Sequence, residues 1–149
     1  MNLHRVAFAP GLVVLGDSSL HHSEGLKEVL LPDTVRSIEK DALSLAFSLE
    51  HINLPPYLEK LGQSAFLNCP KLKSIVPPAT MKSIGIYAFE YDESLTSIIC
   101  LATEPPAGGA EMFDNTSECP IYVPAASVEA YRSAPIWRNY AHRIRAIKE

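Results

Sequence analysis

The chain has 149 residues, of which 47% are hydrophobic and 20% charged, as expected for one ordinary globular domain and not for a disordered chain. Its net charge of -4 argues against a nucleic-acid-binding protein, which usually carries a basic excess. No apolar run approaches the roughly 20 residues that span a bilayer, and the first ten residues lack the long apolar segment of a signal peptide.

An internal repeat of 23 residues organises most of the chain. The units start at Leu3, Leu26, Leu49, Leu72 and Leu95. Three positions after each leading Leu, a column of β-branched residues contains Val6, Val29, Ile52, Ile75 and Ile98. Each unit is too small to bury its own apolar side, so neighbouring units must stack around one continuous core.

Each unit begins with an apolar alternation that predicts a short strand with one face inward. We expect parallel strands near residues 5–8, 28–31, 51–54, 74–77 and 97–100, with Val29, Ile52, Ile75 and Ile98 forming one buried ladder. A second extended stretch follows, and the glycines after it, such as Gly62 and Gly85, suit a bend with unusual backbone angles. Pairs such as Ala65-Phe66 then predict a helical turn or short helix leading to the next unit.

This pattern resembles the BspA-type leucine-rich repeat. The resemblance is carried by Leu49-x-x-Ile52-x-Leu54-Pro55, then Leu58-x-x-Leu61-Gly62, then Ala65-Phe66-x-x-Cys69-x-x-Leu72. It implies a leucine-rich-repeat solenoid, horseshoe-like and β-rich, of short parallel strands stacked at the 23-residue period. It also implies a surface or secreted bacterial protein that adheres to host or bacterial proteins.

The period is lost after residue 101, so we expect leucine-rich repeats over residues 1–101 and a non-repeat α+β capping segment over 102–149. Residues 121–123 predict a strand that pairs on the last repeat, and Ser127 can cap a short helix after it. Trp137, Tyr140 and Ile144 lie at helical spacing. This aromatic cluster is either a binding platform or a cap that closes the core, and the need of solenoids for terminal caps favours the cap.

No constellation of residues predicts catalysis, a metal site or a cofactor. Phosphate-binding glycine loops and nucleophile elbows are absent from the sequence. His21-His22 with Glu24 lacks the i, i+4 spacing of a helical metal site. The three cysteines form no Cys-x-x-Cys pair and are best interpreted as buried apolar residues. We therefore predict a protein that is not an enzyme.

The remaining candidate site is the outward side of the repeat strands. Its middle and C-terminal part is apolar for an exposed face, which favours a strip that binds a protein partner. The predicted partner-binding residues are Leu30, His51, Asn53, Val76 and Ile99. The alternative is that residues 102–149 or a neighbouring chain cover Val76 and Ile99.

The functional prediction is a non-enzymatic protein–protein interaction module, with a host matrix or bacterial surface protein as the partner. The alternative is a passive solenoid spacer within a larger protein, without a ligand of its own. The resemblance implies a cell-surface or secreted location. Because Leu3 enters the repeat with no capping segment before it, we expect upstream residues or another chain to cover that edge.

Overall fold

The computed structural model describes residues 4–148, which stack into repeats of short parallel strands. In chain order the strands are β1 (Arg5–Ala7), β2 (Val14–Leu15), β3 (Glu28–Leu30), β4 (Ser37–Ile38), β5 (His51–Ile52), β6 (Lys60–Leu61), β7 (Ser74–Ile75), β8 (Ser83–Ile84), β9 (Ser97–Ile99), β10 (Ala107–Gly108), β11 (Ile121–Val123) and β12 (Ile144–Ala146). Between β11 and β12 lie helix α1 (Val128–Ser133) and two 3-10 helices, Ala125–Ser127 and Trp137–Arg143.

The strands form two ladders on different sides of the stack. The first ladder contains β1-β3-β5 and then β7-β9-β11-β12, and the second runs without interruption through β2-β4-β6-β8-β10. All pairs are parallel, and Val6 pairs with Val29 in the predicted 23-residue register. The predicted strands and the β-rich repeat solenoid are confirmed. Both ladders continue past residue 101, through β10 in the second ladder and through β11 and β12 in the first. The domain boundary near residue 101 stays a prediction.

The core lies between the ladders and contains most of the predicted β-branched column. Val29, Ile75 and Ile98 are buried, and Ile121 and Ile144 continue the column on the last two strands of the first ladder. Ile52 keeps its predicted place in the column, paired with Val29 and packed against the core, but it is only half-buried, so the prediction of a buried residue is wrong there. The physical reason is that β5 and β7 do not pair, which opens the side of the stack beside Ile52.

The third side consists of consecutive turns, so the predicted helical turn or short helix is wrong for the repeats. In each repeat two residues four positions apart lie in the left-handed region. The first of each pair has φ between 55° and 59°, at Ser18, Asp41, Ser64, Tyr87 and Glu111, and the second has φ between 55° and 67°, at His22, Leu45, Asn68, Tyr91 and Asn115. Backbone amides on this side donate to the next repeat, as from Phe66 N to Ala88 O at 2.8 Å. The hydrogen-bonding groups of the turn-side backbone are therefore paired with those of the neighbouring repeat. In a helix they would be paired within the same repeat.

Unusual backbone angles, the predicted reason for glycine at Gly62 and Gly85, do not explain these residues. Positive φ among the glycines is found only at Gly11 and Gly25 in the described part of the chain. At Gly62 and Gly85 an added Cβ would lie 2.6 Å from Lys40 N and 2.5 Å from Gln63 N, respectively. At these two positions the backbone of the preceding repeat approaches too closely for a side chain, whereas the second repeat has Glu39 at the equivalent position.

An aromatic column runs through the turn side and ends in the C-terminal segment. Phe66 stacks on Phe89 at 5.2 Å between ring centroids, and Phe89 on Phe113 at 5.8 Å. Trp137 meets the Phe113 ring at 5.6 Å, and its Nε1 donates to Pro106 O at 2.7 Å. Both predicted phenylalanines and Trp137 are fully buried, so this cluster closes the core and is not an exposed platform.

Residues 125–146 form the end of the stack. The predicted strand over residues 121–123 is confirmed, since β11 pairs with β9. The predicted side-chain cap is wrong, because Ser127 Oγ donates to Thr103 O at 2.7 Å and makes no cap bond to α1. Tyr131 lies on α1 and donates from its hydroxyl to Ala102 O at 2.7 Å, which ties the helix to the fifth repeat.

Candidate protein-binding surface

The predicted outward column lies along the solvent side of the first ladder. Ala7 pairs with Leu30 across β1 and β3, and Ile99 pairs with Tyr122 across β9 and β11. Leu30 and Ile99 are half-buried, whereas Val76 is 40% exposed. The inward neighbours Val29 and Ile98 are buried, so alternate residues of these strands face opposite sides.

The N-terminal part of the column is polar. His51 is exposed on β5, next in register to Glu28, whose carboxylate accepts from Arg5 Nε at 2.8 Å. Both partners of this ion pair are largely solvated, so it contributes about 0–1 kcal/mol. The charges in this part of the strip therefore orient a partner more than they stabilise the fold.

The side chain of Asn53 forms hydrogen bonds within the fold that the sequence pattern does not predict. Its Oδ1 accepts from Leu31 N at 2.8 Å, and its Nδ2 donates to Leu31 O at 2.8 Å. The side-chain amide therefore replaces a peptide group in the ladder beyond the end of β5. An Asn held in this way presents little hydrogen-bonding capacity to a partner.

A groove of about 560 Å³ opens where the first ladder is interrupted between β5 and β7. Its lining brings together Asn53 and Val76, two predicted site residues, with Ile52 and Leu101. The predicted residues Leu30 and His51 lie on the strands before it, and Ile99 lies on β9 after it. The structure thus arranges the five residues along one side of the stack, on both sides of an apolar groove.

Tyr122 and Arg145 continue the column beyond Ile99 and are absent from the sequence-based prediction. Tyr122 pairs with Ile99 on one side and with Arg145 on the other. The sequence pattern that could have indicated these two residues is the 23-residue spacing of Ile98, Ile121 and Ile144. It was not recognised as a repeat because Glu118 and Ala141 occupy the positions of the leading Leu. The C-terminal segment therefore extends the strip and does not fold over Val76.

The second ladder presents a different, charged face. Glu59 accepts ion pairs from Arg36 at 3.5 Å and Lys82 at 3.3 Å, on the repeats before and after it. Lys60 pairs with Glu39 at 3.3 Å, and Ser37 also donates to that carboxylate. The Ser37 hydrogen bond and the Lys60 charge lower the pKa of Glu39 against the opposing effect of burial. Cations on this face are already neutralised by neighbouring repeats.

His21 and His22 are held by contacts with side chains of the second repeat. His21 Nδ1 lies 2.6 Å from Ser44 Oγ, and the His22 ring packs edge-on against Phe47 at 5.5 Å. Over residues 4–148, no group of three or more His, Cys, Asp or Glu side chains has a geometry that could hold a metal ion. Within the same range, no helix has the length and apolar character needed to cross a membrane.

One carboxyl group is fully buried on the turn side. Asp92 Oδ1 accepts from Cys69 N at 2.7 Å, whereas its Oδ2 has no hydrogen-bond partner. Burial raises the pKa of the Asp92 carboxyl well above its ordinary value of 3.8, although the Cys69 amide opposes this shift. Burial also raises the pKa of the Cys69 thiol well above its ordinary value, and ionisation of the neighbouring Asp92 would raise it further.

We expect Asp92→Asn to remove a pH dependence of stability. The folded chain keeps a proton that the unfolded chain releases above a pH of about 4, so the free energy of unfolding falls as pH rises from there toward the folded-state pKa. The Asn variant keeps the acceptor for Cys69 N and cannot ionise, so its free energy of unfolding relative to the parent should rise between pH 4 and pH 7. Urea unfolding at several pH values measures this difference.

Asp92→Ala is the control for the buried acceptor, because it leaves Cys69 N without a partner and should cost about 1–3 kcal/mol at the acidic end. A parent protein whose stability is unchanged between the two pH values would contradict the assignment of a neutral Asp92.

The stacked parallel ladders, the 23-residue register and the buried aliphatic and aromatic columns define a leucine-rich-repeat solenoid. The model of the BspA type leucine rich repeat region matches residues 1–122 in six copies. The chain belongs to this repeat family. A comparison with curated proteins found no significant match.

Two solved structures are similar to this chain. The leucine rich repeat protein of T. pallidum, TpLRR, is 26% identical with a TM-score of 0.76, over 87% of this chain and 61% of the other. The pneumococcal vaccine antigen PcpA shares the fold at 18% identity and a TM-score of 0.60, over 99% of this chain and 42% of the other. The chain therefore spans less than two thirds of either neighbour.

The family and these neighbours support a protein-interaction type of module from a bacterial leucine-rich-repeat solenoid. Proteins of this repeat family are typically non-enzymatic.

Proposed function

We propose that the chain is an adhesion module of a bacterial surface or secreted protein and binds a host matrix protein or a bacterial surface protein through the first ladder. The observation that carries this proposal is the apolar strip in which Val76, directly after β7, is 40% exposed and Ile99 is half-buried on the neighbouring strand β9. A pneumococcal vaccine antigen among the structural neighbours supports the surface location.

The strip has the composition of a small binding surface. Val76 lies on the apolar groove, and Ile99 is the next outward residue along the ladder. Apolar anchors in a partly closed groove contribute most of the affinity at protein interfaces, while surrounding polar residues contribute little. His51 and the Arg5–Glu28 pair would then set the orientation of the partner at the N-terminal end.

The test is the double variant Val76→Asp with Ile99→Asp, assayed for adhesion to immobilised extracellular-matrix proteins and to bacterial surface proteins. We expect affinity to fall at least about tenfold, because each Asp places a charge where an apolar contact forms. The matched control is Val14→Asp with Ile86→Asp, two aliphatic residues that are 45% and 42% exposed elsewhere on the stack. Val76→Asp alone covers the case in which Ile99→Asp lowers the melting temperature.

Equal adhesion by the parent and by a folded double variant would contradict the strip. A passive spacer within a larger protein is the second candidate, favoured by the hydrogen bonds that commit Asn53 to Leu31 and by the greater length of both structural neighbours. A parent protein that binds none of the matrix or surface proteins would support the spacer.

A further inference from the structure

The last repeats carry a concentration of positive charge on a chain whose net charge is negative. Residues 132–148 contain five Arg or Lys residues and no Asp or Glu, against a net charge of -4 for the whole chain. A groove of about 590 Å³ lies at this end of the first ladder. Its lining includes Tyr122, His142, Arg145 and Lys148.

Arg145 differs from the paired cations elsewhere in the stack. Arg36, Lys60 and Lys82 each pair with a carboxylate of a neighbouring repeat. Arg145 is exposed, and its Nη1 donates to the carbonyls of His142 at 2.7 Å and Ile144 at 3.3 Å. No carboxylate of residues 4–148 lies within ion-pair distance of it. Neutral acceptors therefore hold its charge in position, and within residues 4–148 it has no carboxylate counter-charge.

The acidic residue of this groove is already paired. Glu118 Oε2 lies 3.1 Å from His142 Nε2 and 3.8 Å from Arg143 Nε. The Arg143 guanidinium is buried and donates to Cys119 O and Thr116 Oγ1, both at 2.9 Å, so it belongs to the fold. The positive charge that remains for a ligand comes from Arg145 and Lys148.

An apolar slot adjoins the basic groove. Ile99, Tyr122, Ile147 and Lys148 line a second groove of about 270 Å³, and Tyr122 and Lys148 take part in both. The strip thus changes along its length from the apolar residue Ile99, through the Tyr122 ring, to the basic residue Arg145. An apolar slot with a basic rim complements an apolar side chain flanked by carboxylates.

We propose that this end of the strip, defined by Tyr122, Arg145, Ile147 and Lys148, binds an acidic protein segment that carries an apolar anchor. The inference rests on the proposed function, since it assigns the partner's chemistry at the C-terminal end of the same strip. Arg145 pairs with a carboxylate of the segment, and an apolar side chain of the segment enters the slot between Ile99 and Ile147. A nucleic acid or another polyanion would bind to the basic residues Arg145 and Lys148 without placing an apolar group in the slot.

The test measures binding of a fluorescein-labelled peptide of Asp and Glu residues around two central Leu residues, by fluorescence anisotropy at low salt. The comparison peptide carries Asn and Gln in place of the acids. We expect the acidic peptide to bind at least about tenfold more tightly than the amide peptide, with an affinity that falls as salt screens the pair. An acidic peptide with its two Leu residues replaced by Ser should also bind more weakly.

The variant Arg145→Glu with Lys148→Glu should abolish the preference for the acidic peptide. Lys40→Glu with Lys71→Glu makes the same change in net charge at exposed turn residues and is the matched control. Equal binding of the acidic and amide peptides would overturn the inference, as would an equal loss in both charge variants. Binding of an oligothymidylate of equal charge as tightly as the acidic peptide would also overturn it.

These outcomes are separable from those of the proposed function. Val76→Asp alone tests adhesion through the middle of the strip without touching the slot that Ile99 lines, whereas the peptide comparison depends on Arg145 and Lys148. Adhesion that is lost in the aspartate variant, with no preference for the acidic peptide, would overturn the inference and leave the proposed function standing.

Discussion

Replacing Ile75 with Asp is expected to lower the free energy of unfolding by more than about 4 kcal/mol, enough to unfold a domain of ordinary stability. Ile75 is 1% exposed and lies between the two ladders, where a carboxylate finds no partner and no water. The same change at Ile52 should cost clearly less, because Ile52 is half-buried and lines the open groove beside β5. Urea unfolding of the two variants measures the difference.

Ser74→Asp is the control, since it places the same charge on the exposed neighbour of Ile75 in β7. It should change the free energy of unfolding by no more than about 0.5 kcal/mol. Equal destabilisation by Ile75→Asp and Ile52→Asp would show that β5 and β7 are packed as tightly as the other strands. That outcome would close the groove and weaken the proposed binding surface.

Gly85→Ala is expected to cost about 2–3 kcal/mol or more, although Ala normally stabilises a chain relative to Gly. The new Cβ would lie 2.5 Å from Gln63 N and 2.5 Å from Gly62 C, both backbone atoms of the preceding repeat. Neither atom can move without separating β8 from β6. Thermal and urea unfolding measure the loss.

Gly16→Ala is the matched control, because Gly16 occupies the same position of the first repeat and an added Cβ there has no atom within 4 Å. Neither glycine has a positive φ, so the two substitutions differ only in the presence of a preceding repeat. We expect Gly16→Ala to be neutral or stabilising by up to about 1 kcal/mol. Equal losses at both positions would assign the cost to backbone conformation and not to close approach of repeats.

In a stack of repeats, a substitution at one residue also affects the contacts between neighbouring repeats. Neighbouring repeats contact each other through the second ladder and the turn side, and through the first ladder except between β5 and β7, so a wedge at Gly85 strains the contacts between two repeats. The groove between β5 and β7 shows that one ladder can open while the other stays paired.

The 23-residue spacing was sufficient to predict the parallel first-ladder strands and most of the core. A short strand buries every second residue, so Val29, Ile75 and Ile98 could be assigned to the inside from alternation alone. Phe66 and Phe89 followed in the same way from their repeat position. The outward positions were therefore also readable, including Val76 and Ile99, although their role as a binding site stays a prediction.

The C-terminal repeats were hidden because both of their signals changed at once. Phe89 and Phe113 are 24 residues apart, whereas Ile98 and Ile121 keep the spacing of 23, so the turn column and the strand column lose their common period. Without a leading Leu at Glu118 or Ala141, the strands β11 and β12 could not be aligned as repeats. Tyr122 and Arg145 were missed for this reason.

By itself the sequence determined the repeat, the strand positions and the inward or outward side of each residue, because these follow from a period of 23 and a strand period of two. Only the tertiary structure decided the distances between repeats. Those distances explain why Gly85 must be glycine, why Ile52 is half-exposed beside an unpaired strand, and why Arg145 comes to lie next to Tyr122. Each depends on atoms at least 20 residues away in sequence, for which the local pattern carries no information.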